Sequence, residues 1–268
     1  MYVERYGGGE PRCFALHGWG GSHRDFAPLA AHMPARVSLL SADLPGTGRS
    51  PAPREWNLGS IVDEICEAVE AVEAFAAFDS REGATLVGNC SGAILALLVA
   101  EKLKGRIGRL VLVDPFAYMP RYFRLFTNRS IGRRAYDSTF ANPFGRWITN
   151  QTLRRRRTPG SDLTASFNDT NHEAARRYLA LFSEMEGVER FKDLRLPIDL
   201  AYGERTFGAV RRSVEMWRAV WPQARAWRLE GAGHLPLQEA AGELCEIIFD
   251  SATGGAEVVH QSEREARV

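Results

Sequence analysis

The residues best suited to do chemistry lie in Leu86-Val87-Gly88-Asn89-Cys90-Ser91-Gly92-Ala93, where an apolar run meets small residues and continues as Ile94-Leu95-Ala96-Leu97-Leu98-Val99-Ala100. The pattern predicts a strand, a sharp turn and a helix. Glycines two before and two after Cys90 leave room for a strained backbone and for close strand–helix packing, the arrangement that holds a nucleophile above a sheet. In this frame the nucleophile is the Cys90 thiol, since centring on Ser91 would require Asn89 to be the small residue. Acyl transfer needs such a nucleophile, a base to handle its proton and donors for the developing oxyanion. A thiol at the start of a helix suits the first role, because unpaired amides and the helix dipole favour thiolate there.

The elements that must position this stretch follow from composition and pattern. A chain of 268 residues, 45% hydrophobic and 25% charged, can bury one large core, and one α/β domain with an insertion fits. The formal net charge of +1 gives no global reason for a polyanionic partner. Met1-Tyr2-Val3-Glu4-Arg5-Tyr6 carries an acid and no apolar stretch, so no secretory signal is expected. No window approaches the roughly 18 apolar residues of a membrane span. Cysteines at 13, 66, 90 and 245 form no CxxC pair, which argues against both a metal site and a disulfide framework and makes a reducing cytoplasm the expected setting. No cofactor is implied.

Apolar runs predict strands at Arg12–Leu16, Val37–Ala42, Arg109–Val113, Leu196–Tyr202 and Ala224–Leu229, besides the one before Cys90. Helical patterns lie between them: about Arg24–Met33, an amphipathic Ile61–Phe78, the stretch after Cys90, Asn171–Met185, Phe207–Val220 and Leu237–Phe249. Strands alternating with helices imply a mostly parallel sheet covered on both faces. The change in composition after Asp114-Pro115 marks 116–195 as an inserted helical cap, leaving 1–115 and 196–250 as the core. The small, polar tail 251–268 is expected to be disordered. Ligands of such sheets bind at the carboxyl ends of the strands, where the loops that begin at His17, Asp43, Cys90, Asp114 and Gly231 fall.

Four motifs carry a resemblance over about Arg12 to Phe249: His17-Gly18-Trp19-Gly20, Asp43-Leu44-Pro45-Gly46-Thr47-Gly48-Arg49-Ser50, the turn around Cys90, and Gly231-Ala232-Gly233-His234. In this order and spacing the chain resembles the α/β-hydrolase-fold superfamily. Within it, the wording is similar to bacterial carboxylesterases such as the pimeloyl-carrier-protein methyl ester esterases. The resemblance implies that His234 is the base and that the amides of Trp19 and Ser91 form the oxyanion hole, with His17 ordering the oxyanion loop. Asp43 and Arg49 are expected to tie down the Leu44–Ser50 loop, and His23, His32, His172 and His260 to be surface or packing residues. The resemblance also calls for an acid three residues after Gly203, where this chain has Thr206. Two substitutes remain: Asp114, at the strand end where some relatives such as certain haloalkane dehalogenases carry the acid, and Glu204. Asp114 is favoured, and a Cys–His dyad is a further option because a thiolate needs less help than an alcohol.

Between Arg121 and Arg157 stand ten arginines against one acid, Asp137. This stretch reads as a positive rim for an anionic acyl substrate, linked to a carrier protein or coenzyme A, or as a solvated face in a chain whose default cation is arginine. No nucleic-acid motif accompanies it. Tyr118, Tyr122, Phe123, Phe126, Phe140, Phe144 and Trp147 would line an acyl pocket or form the cap's own core. The expected function is hydrolysis or transfer of an acyl group from an ester, lactone or thioester through an acyl-cysteine, with a thioester preferred. The alternative is a catalytically impaired hydrolase-fold protein that binds a ligand or partner through its cap, which the missing acid at Thr206 would explain.

Overall fold

The computed structural model describes residues 1–76, 83–185 and 187–249. The helix end expected at Phe78, the tail from 251 and His260 lie outside the described residues. Seven strands form one sheet: β1 (Val3–Tyr6), β2 (Glu10–Leu16), β3 (Val37–Ala42), β4 (Ala84–Asn89), β5 (Ile107–Val113), β6 (Ile198–Gly203) and β7 (Arg225–Leu229). Their spatial order is β1-β3-β2-β4-β5-β6-β7. β1 runs antiparallel to β3, and the other pairs are parallel. The sequence reading missed β1, because Val3-Glu4-Arg5-Tyr6 has no apolar run; an edge strand needs only one covered face and is often charged.

Helices α1 (Leu58–Glu70), α2 (Gly92–Lys102), α3 (Pro143–Thr152), α4 (His172–Ser183), α5 (Gly208–Val220) and α6 (Ala241–Phe249) are the longest, joined by a 3-10 run at His23–Ala31. The expected helix from Ile61 ends earlier than its periodicity suggests. Ala71 N–H bonds back to the carbonyls of both Glu67 and Val69, and the chain restarts as a short turn at Glu73–Ala76. Helix α2 is buried from Gly92 to Ala100. A helix apolar all round belongs against the centre of the sheet. One core cluster joins α1, α2 and α5 to one face of the sheet, and a second joins the His23–Ala31 run and α6 to the other.

Register sets the working edge. Leu16 is opposite Gly88, Asn89 opposite Val113, Val113 opposite Ala201, and Gly203 opposite Leu229. The loops after β2, β4, β5, β6 and β7 therefore leave from one edge. At the other end of β6, fully buried Asp199 accepts hydrogen bonds from Arg109 Nε (2.8 Å), Arg225 Nε (2.7 Å) and Trp227 Nε1 (2.7 Å). Arg109 also donates to the carbonyls of Ile247 and Ile248 at the end of α6. This paired charge binds sheet to helix far from the glycine-rich loops.

Between β5 and β6 the regular elements among the described residues are all helical. Tyr136, Phe140, Phe167 and Ala175 make a small core of their own. Tyr178, Phe182, Val188 and Phe191 instead join the main core. Tyr178 Oη donates to Pro45 O and Asn171 Nδ2 to Gly46 O, so α4 is bound to the Leu44–Ser50 loop. That loop is fixed as expected: Asp43 Oδ2 accepts from Arg49 N–H and Ser50 Oγ donates to Asp43 O. His23, buried, adds its own N–H and Nδ1 to Asp43 Oδ1.

Candidate active site

Cys90 stands directly after β4 with φ +53°, and its N–H donates to Val113 O at 2.8 Å. A non-glycine residue in this region is strained and persists only where its surroundings dictate it. Here they do. A Cβ on Gly88 would strike the Ala93 backbone, and one on Gly92 would strike the carbonyls of Leu16 and His17. Only glycines let the turn close so tightly. A Cβ on Gly18 would come within 3.0 Å of Cys90 Cβ, so the glycine-rich loop after β2 lies directly against the thiol.

Cys90 Sγ is 3.8 Å from His234 Nε2, and His234 Nδ1 is 2.6 Å from Asp114 Oδ2. Asp114 is fully buried at the end of β5, also with a positive φ of +47°. Gly203 N–H donates to Asp114 Oδ1 at 3.0 Å and Thr206 Oγ1 to Asp114 Oδ2 at 2.5 Å. The Thr206 hydroxyl also lies 3.1 Å from His234 Nδ1. Of the two candidate acids the structure thus brings Asp114, not Glu204, to the imidazole. Glu204 Oε2 accepts from Gly231 N–H instead. Thr206, which the sequence reading treated only as a loss, bonds to both Asp114 and His234. The signal for this was its position, three residues after Gly203.

Burial alone would lower the His234 pKa, but hydrogen bonds to Asp114 and Cys90 and their negative charges outweigh it and raise it to about 10. A group raised above its unfolded value of 6.5 stabilises the fold fully below pH 6.5 and loses that contribution as pH rises towards 10. The expected result is a Tm difference between wild type and Asp114→Asn that is greatest below pH 6.5 and shrinks steadily up to pH 10. A difference independent of pH would contradict the coupling. The other three thiols are buried, and burial pushes Cys13 up to about 12 and Cys66 and Cys245 up to about 11.

Among the described residues neither the Trp19 nor the Ser91 N–H meets a hydrogen-bond acceptor. His17 orders their loop. Burial lowers its pKa to about 4, so it is neutral, with Nδ1–H on Gly18 O (2.8 Å) and Nε2 accepting from Leu44 N–H (3.1 Å). The Trp19 indole donates to Ala175 O in α4 at 2.7 Å and meets Phe123, Phe140 and Phe167 edge-on. The expected aromatic set therefore divides. Phe140 is buried around Trp19, whereas Tyr122, Phe144 and Trp147 are exposed, Phe144 by 67%. Phe116 and Phe207, which the sequence reading did not single out, pack edge-on against the His234 ring.

Residues 14–247 match the alpha/beta hydrolase family. The chain belongs to that family. This hydrolase is 22% identical over 255 residues to a pimeloyl-[acyl-carrier protein] methyl ester esterase of Neisseria meningitidis serogroup B, covering 91% of this chain and 93% of that one. It is 24% identical over 259 residues to the protein of the same name from Aromatoleum aromaticum, covering 91% and 99%. Among solved structures, the enol-lactonase from Burkholderia xenovorans superposes with a TM-score of 0.72 at 16% identity, covering 93% of this chain and 95% of that chain. The last likeness speaks for the fold. Among the described residues no helix is long and apolar enough to cross a membrane, and no three His, Cys, Asp or Glu side chains are grouped to hold a metal ion.

Proposed function

We propose that this hydrolase cleaves acyl thioesters, or transfers their acyl group, through an acyl-Cys90 intermediate. Sγ of the thiolate attacks the carbonyl carbon, and the Trp19 and Ser91 amides hold the resulting oxyanion. Collapse breaks the bond to the leaving thiolate, which takes the proton from His234 Nε2. Water or another acceptor then attacks the acyl-cysteine and gives its proton to His234. The carboxylic acid or the transferred acyl product leaves, and the Cys90 thiolate is restored. Asp114 orients the ring and stabilises the imidazolium throughout. The observation that supports this reading is the contact of Cys90 Sγ and Asp114 Oδ2 with opposite nitrogens of one imidazole.

A thioester is the matched substrate for chemical reasons. When a thiolate adds to a thioester, the tetrahedral intermediate expels a group of similar basicity. When it adds to an alkyl ester, alkoxide is the poorer leaving group and the attack reverses unless an acid protonates it. His234, held protonated, is placed to supply that proton, so esters and lactones remain slower substrates of the same machinery.

The helical segment 116–195 acts as a cap that receives an acidic carrier. Arg121, Arg124, Arg129, Arg134, Arg154 and Arg155 face no carboxylate among the described residues, in contrast to the paired Arg176 and Arg177 of α4. The curated relatives are named for a carrier-protein-linked substrate, in keeping with this charge. The expected result is that reversing Arg124, Arg129 and Arg134 to glutamate raises KM for an acyl group on acyl-carrier protein about tenfold or more. Steady-state rates with the same acyl group on N-acetylcysteamine should stay within twofold. Equal effects on both substrates would remove the docking role.

A further inference from the structure

The segment that follows α3 runs across the base. His234 N–H donates to Arg156 O at 2.7 Å, and Arg156 Nη1 donates to Thr206 O at 3.0 Å. Gly233 packs so closely on this strap that a Cβ there would strike the Arg156 backbone. A single carboxylate joins the two pieces. Glu239 Oε1 accepts from Thr158 N–H (2.6 Å), Thr158 Oγ1 (3.1 Å) and Ser161 Oγ (2.5 Å), while Oε2 accepts from Gly233 N–H (2.5 Å). Burial opposes the charge on Glu239, but these donors outweigh it and hold its pKa below the usual carboxylate range.

We infer that Glu239 is a positioning residue: it clamps the strap 156–161 onto the loop of His234 and so sets the imidazole between Cys90 and Asp114. Glu239 touches neither reacting atom. It acts on the backbone one residue before the base, and the strap closes a ring of contacts from His234 N–H through Arg156 and Thr206 back to His234 Nδ1. The titratable groups facing the imidazole are Asp114 and Cys90, with Arg156 held on the adjoining Thr206 carbonyl. A sub-ångström drift of the ring weakens its bonds to both partners together. Glutamine is nearly the same size as glutamate, but its amide presents a donor where Glu239 meets only donors, so it loosens the clamp with little change in packing.

The inference rests on the proposed role of His234, and two readouts separate the two. In the resting protein, imidazole NMR follows His234 against pH. With a small N-acetylcysteamine thioester, kcat and KM follow the chemistry without a carrier. Glu239→Gln is expected to move the His234 titration down by at least one pH unit and to lower kcat about tenfold, with KM within twofold. Ser161→Ala, which removes one donor and leaves the carboxylate, is expected to do the same more weakly and carries the test if Glu239→Gln does not fold. A wild-type titration near pH 10 that both variants leave unmoved, with kcat unchanged, overturns the clamp and leaves the base assignment standing. A wild-type titration near 6.5 overturns the base assignment and the clamp with it.

Discussion

Cys90→Ala is expected to form no acyl adduct with an activated thioester, while the wild type gains one acyl group per chain in the intact mass. Its kcat/KM should fall at least ~10³-fold, in line with removal of a nucleophile from a coupled triad. Exclusion and placement both point to Cys90. The other three cysteines are buried and hard to ionise, and the turn that exposes Cys90 holds it at φ +53° against the glycine loop. Cys90→Ser sharpens the test. A hydroxyl must give up its proton to a free base, and Asp114 favours the protonated His234. The serine variant is therefore expected to retain about one per cent of the activity or less, although the side chains are nearly isosteric. An adduct on Cys90→Ala equal to that on the wild type would remove Cys90 from the mechanism.

Moving the acid is the second large effect. Asp114→Asn should lower kcat about 10²-fold, less than for a serine triad, because the thiolate needs less help. Thr206 sits where the resemblance calls for a carboxylate, and its hydroxyl already lies 3.1 Å from His234 Nδ1. The double variant Asp114→Asn/Thr206→Asp is thus expected to regain at least about tenfold in kcat over Asp114→Asn. Thr206→Asp alone should lose activity and stability, since two carboxylates would share one half-buried imidazole and one must stay protonated. Steady-state kinetics and urea denaturation on the four proteins check this. No recovery in the double variant would mean that position 206 supports the acid only from its present geometry.

The best support for the impaired-hydrolase alternative is Thr206 standing where the acid is expected. With Asp114 against the imidazole and the threonine hydroxyl bonded to both, the missing acid no longer argues for lost chemistry.

Local rules made several features legible in the sequence. The turn around Cys90 was readable because small residues at 88 and 92 have one use at a strand–helix junction, and the parallel sheet because its central strands are apolar on both faces. The glycine-rich loop at His17–Gly20 and the place of His234 came from motif and order. Tertiary structure decided the rest. Asp114, Thr206 and His234 are separated by 92 and 28 residues along the chain, so only the register of β5, β6 and β7 brings them to one point. Periodicity carries no trace of register between strands far apart in sequence. The same reason hid Glu239, an ordinary helix-start glutamate until the strap at 158–161 is laid across it. The aromatic residues of the insertion divide between core and surface by the path of short helices, which composition does not encode. What the sequence determined by itself was the tight turn that carries Cys90 and the fold that presents it. Which carboxylate meets His234, and what anchors the loop that carries it, depended on long-range hydrogen bonds that only the folded sheet creates.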